Sequence, residues 1–147
     1  MPSMFTVPQI DPAGSIIIEA RTDPHVTALV GDRVRGPEPA PDDMKGPGDY
    51  IAFVTIGTLG AAPERRVPVT FAEYSVSAYG ATYQNAWAVW AALTKAFHGR
   101  GPRTKANGLG IYATAILDGG QEDEDPQTQQ PVVRGTLRVI ATVVSVA

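Results

Sequence analysis

Apolar residues recurring at spacings of three and four mark one long amphipathic helix in this chain, Thr82 to His98 (TYQNAWAVWAALTKAFH). Ala86, Val89, Leu93 and Ala96 or Phe97 form its stripe and Trp87 and Trp90 widen it, while Thr82 supplies an N-cap and Gly99 a stop. The segments around it alternate or run apolar in the manner of strands. Asp49–Gly57 reads as a buried strand bounded by turn residues, and Leu59–Arg65 as a hairpin-like connection. Arg66–Tyr79 is a longer strand whose apolar phase switches: Val67, Val69 and Phe71 share one phase, Tyr74, Val76 and Ala78 the other. That switch predicts a bulge near Ala72 and Glu73, or an end that leaves the sheet to cover something else. Gly108–Leu117 and Val132–Val146 supply two further strands joined by a polar loop, Asp118–Pro131.

The beginning of the chain is patterned differently. Met1–Gly14 carries Pro2, Pro8 and Pro12 and reads as an extended arm, with Phe5, Val7 and Ile10 as possible anchors on a neighbour. From Ser15 the run SIIIEAR reads as a short helix or helical turn, although Ile16, Ile17 and Ile18 suit a strand equally. A second short helix follows, with Asp23 as N-cap, Pro24 at its first position and Gly31 as stop. Asp32–Arg35 reads as a short strand, and Gly36–Gly48, with Pro37, Pro39, Pro41 and Pro47, as a loop long enough to be functional or mobile. The sum is a single α+β domain with a mainly antiparallel sheet, one long amphipathic helix and short N-terminal helices. One such helix hides one sheet face, so the other face is expected to need a partner, which points to assembly and not catalysis.

Composition narrows the function. With 147 residues, 44% hydrophobic and 18% charged, the chain is long enough for one core. A net charge of −3 offers no general attraction to phosphate backbones. The absence of cysteine excludes disulfides, thiolate catalysis and Cys-ligated metal, and fits a reducing cytoplasm. Neither a membrane-length apolar run nor a signal-peptide pattern is visible, so a soluble cytoplasmic component is expected.

Candidate chemistry is sparse. His25 and His98 would sit at helix ends and have no second ligand at helical spacing. Ser15, Ser75, Ser77 and Ser145 lack a nucleophile elbow, and Gly99–Gly101 and Gly108–Gly110 match no phosphate or dinucleotide loop. Glu122, Asp123, Glu124 and Asp125 lack the ligand spacing and glycine of a calcium loop and read as a solvated hairpin tip, or as a tip facing a DNA passage or a basic partner. Lys95, Arg100, Arg103 and Lys105 form a basic cluster after the helix; at opposite edges of a subunit the two clusters would meet head to tail around a ring. Trp87, Trp90, Tyr83 and Phe97 read as core or interface residues, not a base-stacking platform. No catalytic, cofactor-binding or metal residue is assigned.

These segments in this order resemble the tail terminator (tail completion) proteins of long-tailed, siphovirus-type phages. The resemblance is carried by ALVGDRV at Ala28–Val34, the proline-rich loop, the strand start Asp49-Tyr50-Ile51, the strand end Ser77-Ala78-Tyr79-Gly80, the helix from Thr82, and the final strand, polar hairpin and strand. It covers about four-fifths of the chain, Asp23 to Val143. It implies a virion protein forming a ring, commonly a hexamer, that caps the tail tube, stops its growth and meets the head-side connector, with DNA passing only as cargo. Candidate interface residues are then the acidic run, the basic cluster, and Asp42, Asp43 and Lys45 in the proline-rich loop. A neck or tube protein of the same virion is the alternative, and a small-ligand module or enzyme would need a polar pocket that the sequence does not indicate.

Overall fold

A computed structural model describes residues 12–63, 69–97, 105–106, 109–116 and 120–143. The arm anchors Phe5, Val7 and Ile10, together with Arg66, His98, Gly99, Gly108, Leu117 and Val146, lie outside the described residues. The elements are α1 (Pro12–Thr22), α2 (Pro24–Val30), β1 (Val34–Arg35), a 3-10 turn (Pro41–Asp43), β2 (Phe53–Pro63), β3 (Val69–Tyr79), α3 (Tyr83–Phe97), β4 (Lys105–Ala106), β5 (Leu109–Ile116), β6 (Gln121–Glu124) and β7 (Pro131–Val143). They make an α+β fold with a seven-stranded sheet among the described residues, ordered β1-β2-β3-β7-β5-β4, with β6 also on β7. Among the described strands only β1 runs parallel to its neighbour.

Helix boundaries follow local chemistry. Asp23 caps α2 as its sequence predicts, its carboxylate accepting from the His25 and Val26 N–H groups at 2.9 and 3.1 Å. Thr82 caps α3: its hydroxyl accepts from Asn85 N–H at 3.1 Å, while the Asn85 side chain accepts from Ala81 N–H at 2.9 Å. The helix α1 starts at Pro12, which shortens the expected 1–14 arm; proline at a helix start lacks only an N–H that has no intrahelical partner there.

Two strand expectations are corrected. Leu59–Pro63 is no connection, because β2 continues to Pro63 and pairs with β3 along its length. The irregularity foreseen near Ala72 and Glu73 lies on the partner strand: Thr58 pairs Tyr74 and Gly60 pairs Glu73, leaving Leu59 as the extra residue.

The pleat sorts the sheet into two unlike faces. Val54, Ile56, Tyr74, Val76, Ala78, Val133 and Leu137 face the helices and are buried with Ile16, Ala20, Val26 and Val30 of α1 and α2. Ala86, Val89, Trp90, Ala92, Leu93, Ala96 and Phe97 of α3 complete this core. Trp90 lies on β7 at Gly135, where an added Cβ would fall 2.3 Å from the ring, so this crossing demands glycine.

Among the described side chains the opposite face is largely polar. At one end Phe53, Tyr79 and Val132 form a small buried cluster, the two rings stacked with centroids 4.2 Å apart. Beyond it the strand register aligns Arg35, Thr55, Ser77, Arg134 and Gln121 in one row, then Ser75 with Thr136 and Glu73 with Arg138. Its charges are paired within the chain, Arg35–Asp43 at 2.8 Å, Arg134–Asp123 at 3.0 Å and Arg138–Glu73 at 3.5 Å. Over these rows a hydroxyl-rich face with internal ion pairs is stable against water, while the register continues the same face into the apolar positions Ala62, Phe71 and Ile140.

Candidate assembly interface

The acidic run is divided by the pleat and is not a hairpin tip. Gln121–Glu124 forms β6, paired with Arg134–Pro131 of β7, and the turn itself is Asp125–Gln130. Side chains two apart point the same way, so Glu122 faces the helix side, where its carboxylate accepts from Trp87 Nε1–H at 2.7 Å. Asp123 faces the other side and accepts from Arg134 Nη1 at 3.0 Å, while its backbone carbonyl accepts from the Tyr83 hydroxyl at 3.1 Å. Glu122, Asp123 and Glu124 are exposed and remain available at a surface.

Asp125 is not available in that way. It is 7% exposed, and one carboxylate oxygen accepts from the Gln127 and Thr128 N–H groups at 2.8 and 2.9 Å. The Gln129 N–H also bonds the Asp125 carbonyl at 2.8 Å, with Gln129 held at φ 63°. Asp-Pro at the start of a turn is a sequence signal for this geometry, and reading the four acids as one charge patch obscured it.

Burial pushes the Asp125 pKa up, but the Thr128 and Gln127 backbone bonds, the Thr128 hydroxyl and the Arg134 charge pull harder, so the net position is below the ordinary 3.8. A carboxylate whose native pKa is depressed contributes stability above its unfolded value and loses it as pH falls through the native one. Thermal melts are therefore expected to show an acid-side loss of stability below about pH 4, and Asp125→Asn should flatten that limb. An unchanged acid limb in the Asn variant would refute this role.

The proline-rich loop is likewise part structure, part surface. Asp43 has a 3% exposed side chain and takes both Arg35 Nε and Nη2, at 2.8 and 3.3 Å, a forked pair that raises the Arg35 pKa. It holds the loop to β1 and is withdrawn as an interface residue, because a buried carboxylate with its partner inside the chain presents no charge outward. Asp42 and Lys45 are exposed. Pro37 packs on Gly57 of β2.

Sequence reasoning missed the residues that tie this end of the molecule together. The Tyr50 hydroxyl donates to the Thr128 carbonyl, and Gln130, 1% exposed, donates through Nε2 to the carbonyls of Ile51 at 2.7 Å and Gly80 at 3.3 Å. Gly80 N–H in turn donates to the Pro131 carbonyl at 3.1 Å. Nothing local distinguishes Gln130 from its neighbours Gln127 and Gln129; only the fold brings residues 50 and 79 positions away against it. Burial raises the pKa of the neighbouring Tyr79, with Arg134 acting in the opposite direction.

Two residues of the basic cluster fall within the described elements. Lys95 is exposed in the last turn of α3, Lys105 opens β4, and Arg100 and Arg103 lie outside the described residues. Both β4, which holds Lys105, and β6 sit on the β7 side of the sheet. Among the described residues no group of three or more His, Cys, Asp or Glu could hold a metal ion, and no helix is long and apolar enough to cross a membrane.

This architecture defines a class: a single antiparallel-rich sheet with helices packed on one face. The same fold occurs in a chain of the solved structure "Virion of native gene transfer agent (GTA) particle", with a TM-score of 0.64, 15% sequence identity, and coverage of 90% of this chain and 99% of that one. No protein-family model matches the sequence, and no curated protein is significantly similar to it.

Proposed function

We propose that this chain is a structural protein of a phage-like virion, and within it the tail terminator: a ring, hexameric as in the family it resembles, that caps the tail tube, stops elongation and joins the tail to the head-side connector. The observation that carries the virion reading is the nearly end-to-end structural correspondence with a virion chain, 90% of one and 99% of the other. The order of segments from Ala28-Leu29-Val30-Gly31 to the closing strand supports the terminator assignment within that class. Length control follows from capping, because a closed ring on the last tube layer offers no surface that recruits another tube subunit. DNA is cargo passing through, in keeping with a net charge of −3 and a second sheet face whose charges are paired internally. The exposed carboxylates of β6, with Asp42 and Lys45, are the surfaces assigned to tube and connector. The protein works in the tail or neck after assembly in the host cytoplasm, and no catalytic residue enters the mechanism.

Electron microscopy of particles lacking this protein tests the reading. Overlong tails without attached heads are the expected result. Absence of tails would make it a tube subunit, and correctly sized tails detached from heads would make it a neck protein; either overturns the terminator assignment.

A further inference from the structure

The two ends of this sheet treat their edges in opposite ways. At the end where Val54 pairs Ala78 and Ala78 pairs Val133, one edge is closed by β1 on β2 and the other by β6 on β7. The strand β6 is Gln-Glu-Asp-Glu, and acids along an edge discourage another strand from adding to it. At the other end neither edge is paired or charged among the described residues, and each carries a single bulge, at Leu59 in β2 and at Tyr112 in β5. The strand β1 reaches only Thr55, leaving the outer edge of β2 from Thr58 to Pro63 without a partner strand. The strand β4 covers only Leu109 and Gly110, leaving Ile111–Ile116 of β5 likewise. Thr58–Pro63 (TLGAAP) and Ile111–Ile116 (IYATAI) contain no charged residue. Long neutral edges invite pairing, and this chain places its charges on the edge that must stay free.

Register and direction select the partner. Ala61 pairs Ala72, Ala72 pairs Val139, and Val139 pairs Thr114, so the open stretches of β2 and β5 lie at the same height across the sheet. The strands β2, β3, β7 and β5 alternate in direction, which makes β2 and β5 antiparallel to each other. Rotating one copy beside another without translation sets β5 against the neighbour's β2 at matching height and in antiparallel sense. A heterologous contact of this kind closes into a ring when rotation alone relates the copies.

We propose that subunits join by pairing the β2 edge (Thr58–Pro63) of one copy with the β5 edge (Ile111–Ile116) of the next, so that one sheet continues around the ring. The inference rests on the ring reading above and names the surface that builds it. The neutral edges supply main-chain hydrogen bonds, and the acidic β6 confines pairing to one end of the sheet.

The chain has no cysteine, so engineered thiols report without background. In the full-length protein Ala61→Cys and Thr114→Cys occupy the same row, on strands separated within one copy by β3 and β7. That is three strand spacings, about 14 Å, whereas a disulfide needs Cα atoms within about 7 Å. Any Ala61–Thr114 bond therefore links two copies. Mild oxidation of the double variant should give a ladder of covalent multimers ending at the ring size found by light scattering, with Ala61→Cys plus Ile116→Cys covering a stagger of two residues. Ala61→Cys plus Gln121→Cys should stay unlinked. A wild-type ring whose double variants yield no ladder, or yield covalent dimers from Ala61→Cys alone, overturns this interface and leaves the ring standing. A chain that scatters as a monomer at every concentration overturns the ring and the interface together.

Discussion

Alanine at Gly80 is expected to destabilise the fold by about 3 kcal/mol through overpacking, a fall in melting temperature of roughly 6–12 °C for a domain of this size. A Cβ at this position would lie 2.2 Å from the Ala86 nitrogen, 2.7 Å from its Cα and 2.8 Å from the Thr82 carbonyl. All three are backbone atoms of the first turn of α3, so no rotamer change relieves the clash. Either β3 ends early or the helix start moves, and the helix is fixed by its Thr82 cap and by Ala86, Val89 and Trp90 in the core. Thermal melts of the Ala variant check this; a melting temperature within 2 °C of wild type would show that the turn relaxes more readily than the packing implies.

Gln130→Leu is expected to cost about 2–3 kcal/mol, since it keeps the side-chain bulk and removes the donor that satisfies two carbonyls. Those carbonyls, on Ile51 and Gly80, lie just outside the Phe53–Tyr79 pair of β2 and β3, so the loss loosens the end of the molecule where the Asp125 turn and residues 50–53 converge. Gln130→Glu should be worse at neutral pH, because an ionised carboxylate accepts only and would face two carbonyl oxygens. Its native pKa is then raised, so the variant keeps most of its stability below the unfolded glutamate value of about 4.3 and loses it as pH rises. Denaturant melts of both variants at pH 4 and pH 8 decide the matter: Glu as stable as Leu at pH 8 would contradict the donor role. Because Gly80 and Gln130 share one hydrogen bond, the double variant should destabilise by less than the sum of the singles.

Much of the fold is legible in the order of residues. The α3 stripe is read correctly because seven buried residues at helical spacing leave no other periodicity, and the α2 cap because Asp-Pro has a local mechanism. The candidate site is legible only in part. Four consecutive acids look like one patch in a sequence, but a strand sends neighbours to opposite faces and a turn buries the last of them. Leu59–Pro63 reads as a connection because Gly57, Gly60 and Pro63 are turn residues, yet a bulge at Leu59 absorbs the irregularity and lets β2 continue.

By itself, the sequence determined the local choices: where α2 and α3 are capped, which positions are apolar, and that thiol chemistry is impossible. Those are set by side chains within a turn or two of each other, where spacing along the chain equals spacing in space. Tertiary structure decided what spacing cannot encode: that Arg35, Arg134 and Arg138 on the second sheet face meet carboxylates of the same chain, that Gln130 and Asp43 are braces, and that two uncharged strand edges stand level across the sheet. Each depends on register between strands far apart in the chain, and register is fixed only when the whole sheet packs against its helices.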